Sequence, residues 1–366
     1  MPLDRRRFLA ALSAGFAVPS LARAEAPKRL VVVFAEGGWD VSFCMDPKFS
    51  SDLVDGPQVD EDPGDPDDRE SLRTFAEIPI AVNDRKRPAV TAFFERWAPR
   101  TAVINGIWMG ALAHATARVR VLTGTQSEVN PAFAAIAGDR LGDALPLGSV
   151  DLSGGSYSGS LASSTGQVGY QSQIQALLLD GVGFPAAPGF SAGAFQADAA
   201  QRDQLRAYLA ARQTAVRPRW SDGGRNDVVL DGRIESLVRA GRFRADGAEA
   251  IAQLQLGASP SLIQQADLAV DFLAGDLCRA VTLDSRRFWD THDGNDLQHA
   301  NYQALFEGLD HLVAELDTSG LLASTMVVVL SEFTRTPKLN SSLGKDHWPY
   351  ASFLVAGAGV RGGRVV

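Results

Sequence analysis

Continuous apolar runs near both ends of the chain predict strands that are buried on both faces. The runs are RLVVVF at 29–34, TMVVVL at 325–330 and SFLVAG at 352–357. Runs of β-branched residues without polar alternation are typical of strands that helices cover on both sides. A further strand is predicted for TAVING at 101–106. These segments therefore indicate one central sheet.

Helical periodicity marks the segments between the strands. In the last quarter, apolar residues recur at i, i+3, i+4, i+7, i+10, i+11 and i+14, which is one face of an amphipathic helix. They are Tyr302, Leu305, Phe306, Leu309, Leu312, Val313 and Leu316. Further helices are predicted at Ala89–Trp97 and at 261–280. Because helices alternate with strands, the pattern predicts an α/β fold with a largely parallel central sheet.

The middle of the chain has a different pattern. Residues 150–195 are rich in Gly, Ser and Ala without strong periodicity, which predicts loops and short elements. Residues 198–256 are charged and helical in pattern, and we interpret them as an inserted helical segment or cap. Residues 46–70 are acidic and interrupted by Pro and Gly, which predicts a solvated surface loop.

Composition narrows the classes of partner. The chain has 366 residues, 45% of them hydrophobic and 21% charged, which is enough for one large domain or two smaller ones. It has no run of eighteen apolar residues, so no permanent membrane span is expected. The net charge of −8 argues against a nucleic-acid partner. Cys44 and Cys278 either form a disulfide in an oxidising compartment or stay unpaired as small hydrophobic residues.

The start of the chain predicts an export signal. RRRFL at 5–9 has the form of a twin-arginine signal, and the apolar stretch 8–21 is too short for a permanent anchor. ARA at 22–24 is a small-residue cleavage site, whereas the alternative for this segment is an amphipathic first helix. We therefore expect a signal at 1–24, a mature domain at 25–366, passage through the twin-arginine translocase, and a periplasmic or secreted location.

Acidic residues and histidines follow several of the predicted strands. In an open α/β sheet, ligands bind beyond the carboxyl ends of the strands. Asp290 and His292 are separated by one residue, so both side chains face the same way on an extended segment. The predicted metal ligands are Asp40, Asp290, His292, Glu332, Asp346 and His347.

These residue types allow a metal site and a structural alternative. Carboxylates with imidazoles suit zinc, manganese or iron, whereas oxygen ligands alone suit magnesium or calcium. Two ions held in this way could clamp the attacking and leaving oxygens of an ester. In the structural alternative, Asp346 caps a turn and His347 bonds to the backbone. Asp290 then pairs with Arg286 or Arg287.

Four blocks of the chain resemble a bacterial family of unknown function that is exported by the twin-arginine route. They are FAEGGWD, FWDTHDGN, SEFTRTPKLNSSLGKDHW and VAGAGVRGG, and the resemblance extends over the mature chain. That family is grouped with the alkaline phosphatase/sulfatase superfamily. The resemblance implies an alkaline phosphatase-like three-layer sandwich, two metal ions at the strand ends, and a Ser, Thr or modified Cys nucleophile.

The same resemblance assigns roles to the predicted ligands. The positions that match superfamily ligands are Asp40, Asp290, His292, Glu332 and His347, with Asp346 beside the last. The superfamily commonly spaces its late aspartate and histidine more widely than Asp290 and His292. Phe333 stands where a histidine is often found, which removes one ligand.

The candidate catalytic residues lie in HATARVRVLTG at 114–124, which resembles the sulfatase signature Cys-x-Pro-x-Arg followed by Leu-Thr-Gly. His114 occupies the cysteine position and could bind a metal or form a phospho-histidine. Thr116 occupies the proline position and could be a displaced nucleophile, with metal-bound water as the alternative. Arg118 could bind a phosphate or sulfate oxygen, or be an ordinary ion-pairing arginine.

The resemblance implies an exported hydrolase of small-molecule or polymer esters of phosphate or sulfate. Its ions would be divalent: zinc, manganese, magnesium or calcium. The alternative is a non-catalytic exported protein that keeps the fold to bind a surface polymer or a partner, which the missing nucleophile favours. The chain ends within a predicted hairpin or strand, VAGAGVRGGRVV, where family members usually continue, which would make the sequence a fragment.

Overall fold

An eight-stranded mixed sheet forms the centre of the computed structural model, which describes residues 28–142, 144–167, 198–252 and 260–366. The predicted export signal at 1–24 lies outside the described residues. The strands, in chain order, are β1 Arg29–Phe34, β2 Ser71–Phe75, β3 Ile78–Val82, β4 Thr101–Trp108, β5 Ser149–Asp151, β6 Thr165–Gln167, β7 Ala280–Asp284, β8 Thr325–Leu330, β9 Thr334–Arg335, β10 His347–Trp348, β11 Tyr350–Gly357 and β12 Arg364–Val365. The sheet has the order β12-β4-β11-β8-β1-β7-β5-β6, and β2-β3 and β9-β10 form two-stranded ribbons.

Most strands of the sheet run in the same direction. β11 is antiparallel to β4 and β8, and every other neighbouring pair in the sheet is parallel. Val31 of β1 lies opposite Val281 of β7 and Val327 of β8. The carboxyl ends of these three buried strands therefore meet at one edge. The predicted α/β class with a largely parallel central sheet is confirmed.

Helices cover both faces of the sheet. They are α1 Pro88–Trp97, α2 His114–Thr123, α3 Phe133–Leu141, α4 Ala199–Trp220, α5 Arg225–Ala252, α6 Leu262–Ala274 and α7 Leu297–Thr318. Leu30 and Val32 of β1 belong to a core cluster shared with α2 and α3. Val31 and Val33 point the other way, into a cluster shared with α1, α6 and α7. The alternation along β1 thus produces a three-layer arrangement.

One element differs from the sequence expectation. The helix predicted at 261–280 ends at Ala274, and Ala280–Asp284 forms the central strand β7. The apolar residues of this strand form too short a run for periodicity alone to distinguish helix from strand. Because β7 pairs with β1, the strand missed in the sequence is one of those that carry the site.

Helices α4 and α5 lie in the segment interpreted as a helical insertion. Phe243 of α5 is fully buried, and its ring lies 5.9 Å from that of Phe272 on α6. Arg239 Nη1 donates to Leu145 O at 3.0 Å. These contacts attach α5 to the main domain, while most of the described side chains of α4 are exposed. A role for this pair as a cap stays a prediction.

The two cysteines are free, and both are fully buried. Burial raises the pKa of the Cys44 and Cys278 thiols to about 12. They therefore behave as small hydrophobic residues, the second of the two alternatives. Across the described ranges, no helix combines the length and the apolar character needed to cross a bilayer.

Candidate metal centre

A pair of glycines allows three segments to meet at the carboxyl end of the sheet. Gly37 and Gly38 follow β1 with φ of +120° and +75°, a backbone conformation in which residues other than glycine are strained. A Cβ on Gly37 would lie 2.8 Å from Asp290 N, and one on Gly38 would lie 2.5 Å from the Phe333 ring. The turn therefore contains glycine because both neighbouring segments pack directly against its backbone.

Three histidines surround the carboxylate of Asp290. His292 Nε2 lies 3.1 Å from Asp290 Oδ1, and His347 Nε2 lies 3.3 Å from the same oxygen. His114 Nε2 lies 3.3 Å from the other oxygen, Oδ2. The Nε2 atoms of His292 and His347 are 2.9 Å apart. Side chains from three separate segments thus direct their nitrogens to one carboxylate; we call these four residues the histidine cluster.

Two of the rings are held by carboxylates through their other nitrogen. His114 Nδ1 donates to Glu332 Oε1 at 2.6 Å, and His292 Nδ1 donates to Asp346 Oδ1 at 2.9 Å. The hydrogen bond to Glu332 raises the pKa of His114, and the hydrogen bond from His292 lowers the pKa of Asp346. A carboxylate bonded to Nδ1 fixes the orientation of the ring and leaves Nε2 on the opposite side. Both rings therefore present Nε2 to Asp290.

His347 is held by a backbone carbonyl. Its Nδ1 donates to Leu112 O at 2.5 Å, the kind of bond expected in the structural alternative. Its ring lies 4.4 Å from that of His114 and 4.5 Å from that of the fully buried Phe333. Burial lowers the pKa of His347, which favours the neutral form that binds metals. The backbone bond thus orients the ring and leaves Nε2 available.

Arg335 fixes the carboxylate of Asp290. Its buried guanidinium donates to Asp290 Oδ1 at 2.6 Å and to Lys345 O at 3.1 Å. Burial acts to raise the pKa of Asp290, but the hydrogen bond and charge of Arg335 outweigh burial and lower it. Asp290 is therefore ionised at neutral pH. The structural alternative named Arg286 or Arg287 as its partner, and Arg335 takes that place.

The cluster has the composition and spacing of a metal site. Ligand atoms of His114, Asp290 and His347 all lie within 4.8 Å of one another. Around a tetrahedral zinc ion with bonds of about 2.0–2.1 Å, neighbouring ligand atoms lie roughly 3.3–3.4 Å apart. His114 Nε2 is buried and makes no close hydrogen bond, since its contact with Asp290 Oδ2 is 3.3 Å long, and a bound cation would give this nitrogen a partner. The residues present therefore fit a divalent ion.

Two predicted ligands lie beside the cluster with their carboxylates already paired. Asp40 Oδ2 lies 2.7 Å from Lys345 Nζ and accepts from Asn295 Nδ2 at 2.9 Å. Glu332, besides holding a histidine, accepts from Gly37 N at 2.8 Å. Both carboxylates thus have donors from the protein itself.

Helix α2 places the three predicted catalytic residues differently. His114, its first residue, belongs to the histidine cluster. Thr116 is exposed, and because it is two positions further along the helix its side chain faces another side. Arg118, four positions from His114, shares the face of His114. Its guanidinium donates to Glu36 Oε1 at 3.1 Å and to Gly155 O at 3.0 Å.

Two cations at the site were missed by the sequence reasoning. Arg335 and Lys345 are buried beside the cluster, although the sequence pattern assigned them no role. The available signal was their position, since SEFTRT and GKDHW each place a basic residue among predicted ligands. A cation inside a block rich in ligands indicates an internal ion pair, because buried charges need partners.

Comparisons with known proteins give a family and a distant structural likeness. A family model described as "Protein of unknown function (DUF1501)" matches residues 27–366. Among solved structures, the chain is similar to the lipoteichoic acid synthase LtaP from Listeria monocytogenes, with a TM-score of 0.37 and 10% sequence identity. That match covers 98% of this chain and 73% of the other. Comparison with curated proteins gives no significant match.

Proposed function

This chain belongs to the DUF1501 family of proteins of unknown function, and we propose that it is an exported, metal-dependent hydrolase of phosphate or sulfate esters. The observation that carries the proposal is the convergence of three imidazole Nε2 atoms on the ionised carboxylate of Asp290. Among the ions that the sequence leaves open, this donor set favours zinc, because imidazole suits zinc better than it suits magnesium or calcium.

The ion would be held by His114, His347 and Asp290, with His292 on the solvent side. The side chain of His292 is 40% exposed and that of Asp290 is 30% exposed, so an ester can reach the cluster. A divalent cation there supplies Lewis-acid polarisation of an ester oxygen and a nucleophile at neutral pH. Arg335 keeps the Asp290 carboxylate ionised and in place for this role.

Glu332 and Asp346 would act by positioning the imidazoles. Glu332 is fully buried and bonds to His114 Nδ1, and Asp346 bonds to His292 Nδ1. Carboxylates in this position orient histidine ligands and make them more basic. Glu332 would therefore hold the ligand His114 without contacting the ion itself.

Arg118 would bind the anionic group of the ester. It lies one helical turn from His114, and its present partner Glu36 is an exposed carboxylate that an anion can displace. The planar guanidinium of Arg118 suits a phosphate or a sulfate. The outward direction of Thr116 supports water as the nucleophile in place of a threonine side chain.

Export would proceed by the twin-arginine route. Support comes from the basic, apolar and small-residue segments that follow one another at 5–24. Expression of the full chain in a bacterial host, followed by fractionation, tests this expectation. We expect a shortened protein in the periplasm or medium, and Arg→Lys changes at positions 5–7 should retain the precursor in the cytoplasm.

Metal content and ester turnover together test the activity. The exported protein is purified and its metal measured by elemental analysis, beside the double variant Asp290→Ala/His347→Ala. Hydrolysis of p-nitrophenyl phosphate and p-nitrophenyl sulfate is measured on both. His311→Ala is the matched control, since His311 pairs with Asp267 on the surface.

The outcomes separate the two functions that the sequence suggested. Metal and hydrolysis that are both present in the wild type and lost in the double variant support the hydrolase. Bound metal without turnover of either ester favours the non-catalytic protein that binds a polymer or partner. Absence of metal before and after reconstitution would contradict the metal centre itself.

A further inference from the structure

Asp40 has hydrogen-bond donors on both carboxylate oxygens. Oδ1 accepts from the backbone N of Ser42 at 3.0 Å and from its hydroxyl at 2.7 Å. Oδ2 accepts from Asn295 Nδ2 at 2.9 Å and lies 2.7 Å from Lys345 Nζ. Asp40 is 2% exposed. A second metal ion at this carboxylate would have to displace donors that the protein already supplies.

Lys345 supplies a full positive charge at this place. Its side chain is 1% exposed, and its ammonium also lies 3.5 Å from Ser42 Oγ and 6.0 Å from the centre of the Phe43 ring. Its backbone is fixed on both sides, since its N donates to Thr291 O and its O accepts from Arg335. A lysine buried to this extent needs a carboxylate partner, because an isolated buried charge is costly.

The histidine cluster has the opposite balance. His114 Nε2 is buried and contacts Asp290 Oδ2 at 3.3 Å, and the Nε2 atoms of His292 and His347 stand 2.9 Å apart. At this position three imidazole nitrogens converge on a carboxylate that Arg335 holds through Oδ1. Beside Asp40, the donors Ser42, Asn295 and Lys345 take up both carboxylate oxygens. The two carboxylates that the resemblance assigned to a pair of ions therefore have different requirements.

We infer that the Lys345 ammonium permanently occupies the cation position beside Asp40, so that the protein binds one divalent ion per chain, at the histidine cluster. This inference rests on the proposed metal centre and departs from the two-ion expectation. Asp40 then has a structural role, as the partner of the buried Lys345, and lies apart from the ligands of the ion. Its carboxylate would not contact the ion.

Metal stoichiometry tests the inference. Metal-free protein is dialysed against zinc and, separately, manganese, and bound metal is measured by elemental analysis for the wild type, Asp40→Asn and Asp290→Asn. We expect one ion in the wild type and in Asp40→Asn, with dissociation constants within about twofold of each other. Removing a residue that bonds to a metal ligand typically weakens metal binding about 10–100-fold, so a change this small would show that Asp40 has no such role. Asp290→Asn should lose the ion.

Some outcomes of this experiment would overturn the inference alone, and one would contradict the proposed function. Two ions in the wild type, or a tenfold or greater loss of affinity in Asp40→Asn, would overturn the inference and leave the metal centre standing. No ion in the wild type would contradict the proposed function itself.

A stability cycle covers the case in which Asp40→Asn fails to fold. Thermal unfolding is compared for Lys345→Met and for Asp40→Asn/Lys345→Met, with Lys48→Met as control because Lys48 forms an exposed pair with Asp46. We expect Lys345→Met to lower Tm and the double variant to recover part of that loss while still binding one ion. Lys48→Met should change neither the Tm nor the number of bound ions. A double variant that binds no ion would overturn the inference.

Discussion

Two groups of histidine and carboxylate side chains in this molecule have different hydrogen-bond partners. At the strand ends, the histidine cluster directs three Nε2 atoms to Asp290. His299, on helix α7, contacts the fully buried side chains of Glu70 and Arg87, which lie earlier in the chain. Arg87 Nη1 donates to Glu70 Oε1 at 2.7 Å and to His299 Nδ1 at 2.6 Å. We call this second group the arginine network; it also includes Asp60, whose Oδ2 lies 3.3 Å from His299 Nε2.

The two groups differ in what their buried guanidinium bonds to. In the arginine network the guanidinium of Arg87 bonds to both the Glu70 carboxylate and His299 Nδ1, so one cation of the chain holds the carboxylate and the imidazole together. In the histidine cluster Arg335 bonds to one oxygen of Asp290 and to backbone carbonyls, and the three imidazoles meet the same carboxylate through Nε2. The same residue types thus form a structural network where one guanidinium bonds to both the carboxylate and the imidazole, and a candidate metal site where three imidazoles converge on a carboxylate without bonding to its guanidinium.

The largest expected effect is loss of metal on removing the central carboxylate. Asp290→Ala should abolish both bound metal and ester hydrolysis, because Asp290 is the carboxylate shared by all three imidazoles. Asp60→Ala, the matched change in the arginine network, should leave metal content unchanged. Elemental analysis of both purified variants checks the comparison, and equal loss of metal in the two would contradict it.

A large effect on stability is expected in the arginine network instead. Arg87→Met leaves the buried Glu70 carboxylate without its cation, and breaking such a pair costs about 3–5 kcal/mol. Urea unfolding measures the change, and the folded fraction of the variant should still bind metal as the wild type does. Glu70→Gln/Arg87→Met removes both charges, so it should be more stable than Arg87→Met alone. A smaller loss in Arg87→Met than in the double variant would show that the pair is not coupled.

An intermediate effect is expected for the residue that orients His114. Glu332→Gln should weaken metal binding by about 10–100-fold while the fold is kept, as for other carboxylates that hold a ligand histidine. Competition against a chromogenic zinc chelator gives the dissociation constant. Glu36→Gln changes an exposed glutamate nearby and should have no effect on it. Complete loss of metal in Glu332→Gln would indicate direct coordination.

The smallest expected effect is a change in the free energy of unfolding that depends on pH. Burial raises the pKa of Asp68, but hydrogen bonds from Lys86 and Asn83 outweigh burial and lower it below its ordinary value. The stability from a lowered carboxyl pKa is present above the unfolded value, about 4, and is lost as pH falls through the folded pKa. Asp68→Asn should cost about 1–2 kcal/mol at pH 7.

The pH series makes this prediction specific. The difference between wild type and Asp68→Asn in the free energy of unfolding should shrink as pH falls below about 4. Urea unfolding between pH 7 and pH 3 measures it, with Asp52→Asn as an exposed control. A difference that stays constant over this range would show that the charge of Asp68 contributes nothing.

Local pattern predicted much of this fold. The runs at 29–34 and 325–330 form β1 and β8 with the same bounds, and the apolar stripe from Tyr302 to Leu316 lies on α7. The strand β7 was not predicted, because its short apolar segment has no period of its own. Tertiary pairing with β1 makes it a strand.

What the sequence determined by itself was which residues could gather at the site. Asp40 and Glu332 follow the predicted strands β1 and β8, so local pattern brings them to the carboxyl edge, whereas the position of Asp290 depends on β7. Only the tertiary structure decided how each carboxylate is neutralised. Lys345 reaches Asp40 and Arg335 reaches Asp290 across long separations along the chain. Such pairs depend on packing in three dimensions and leave no periodic signal, so the fold decides which oxygens of each carboxylate the protein's own cations occupy.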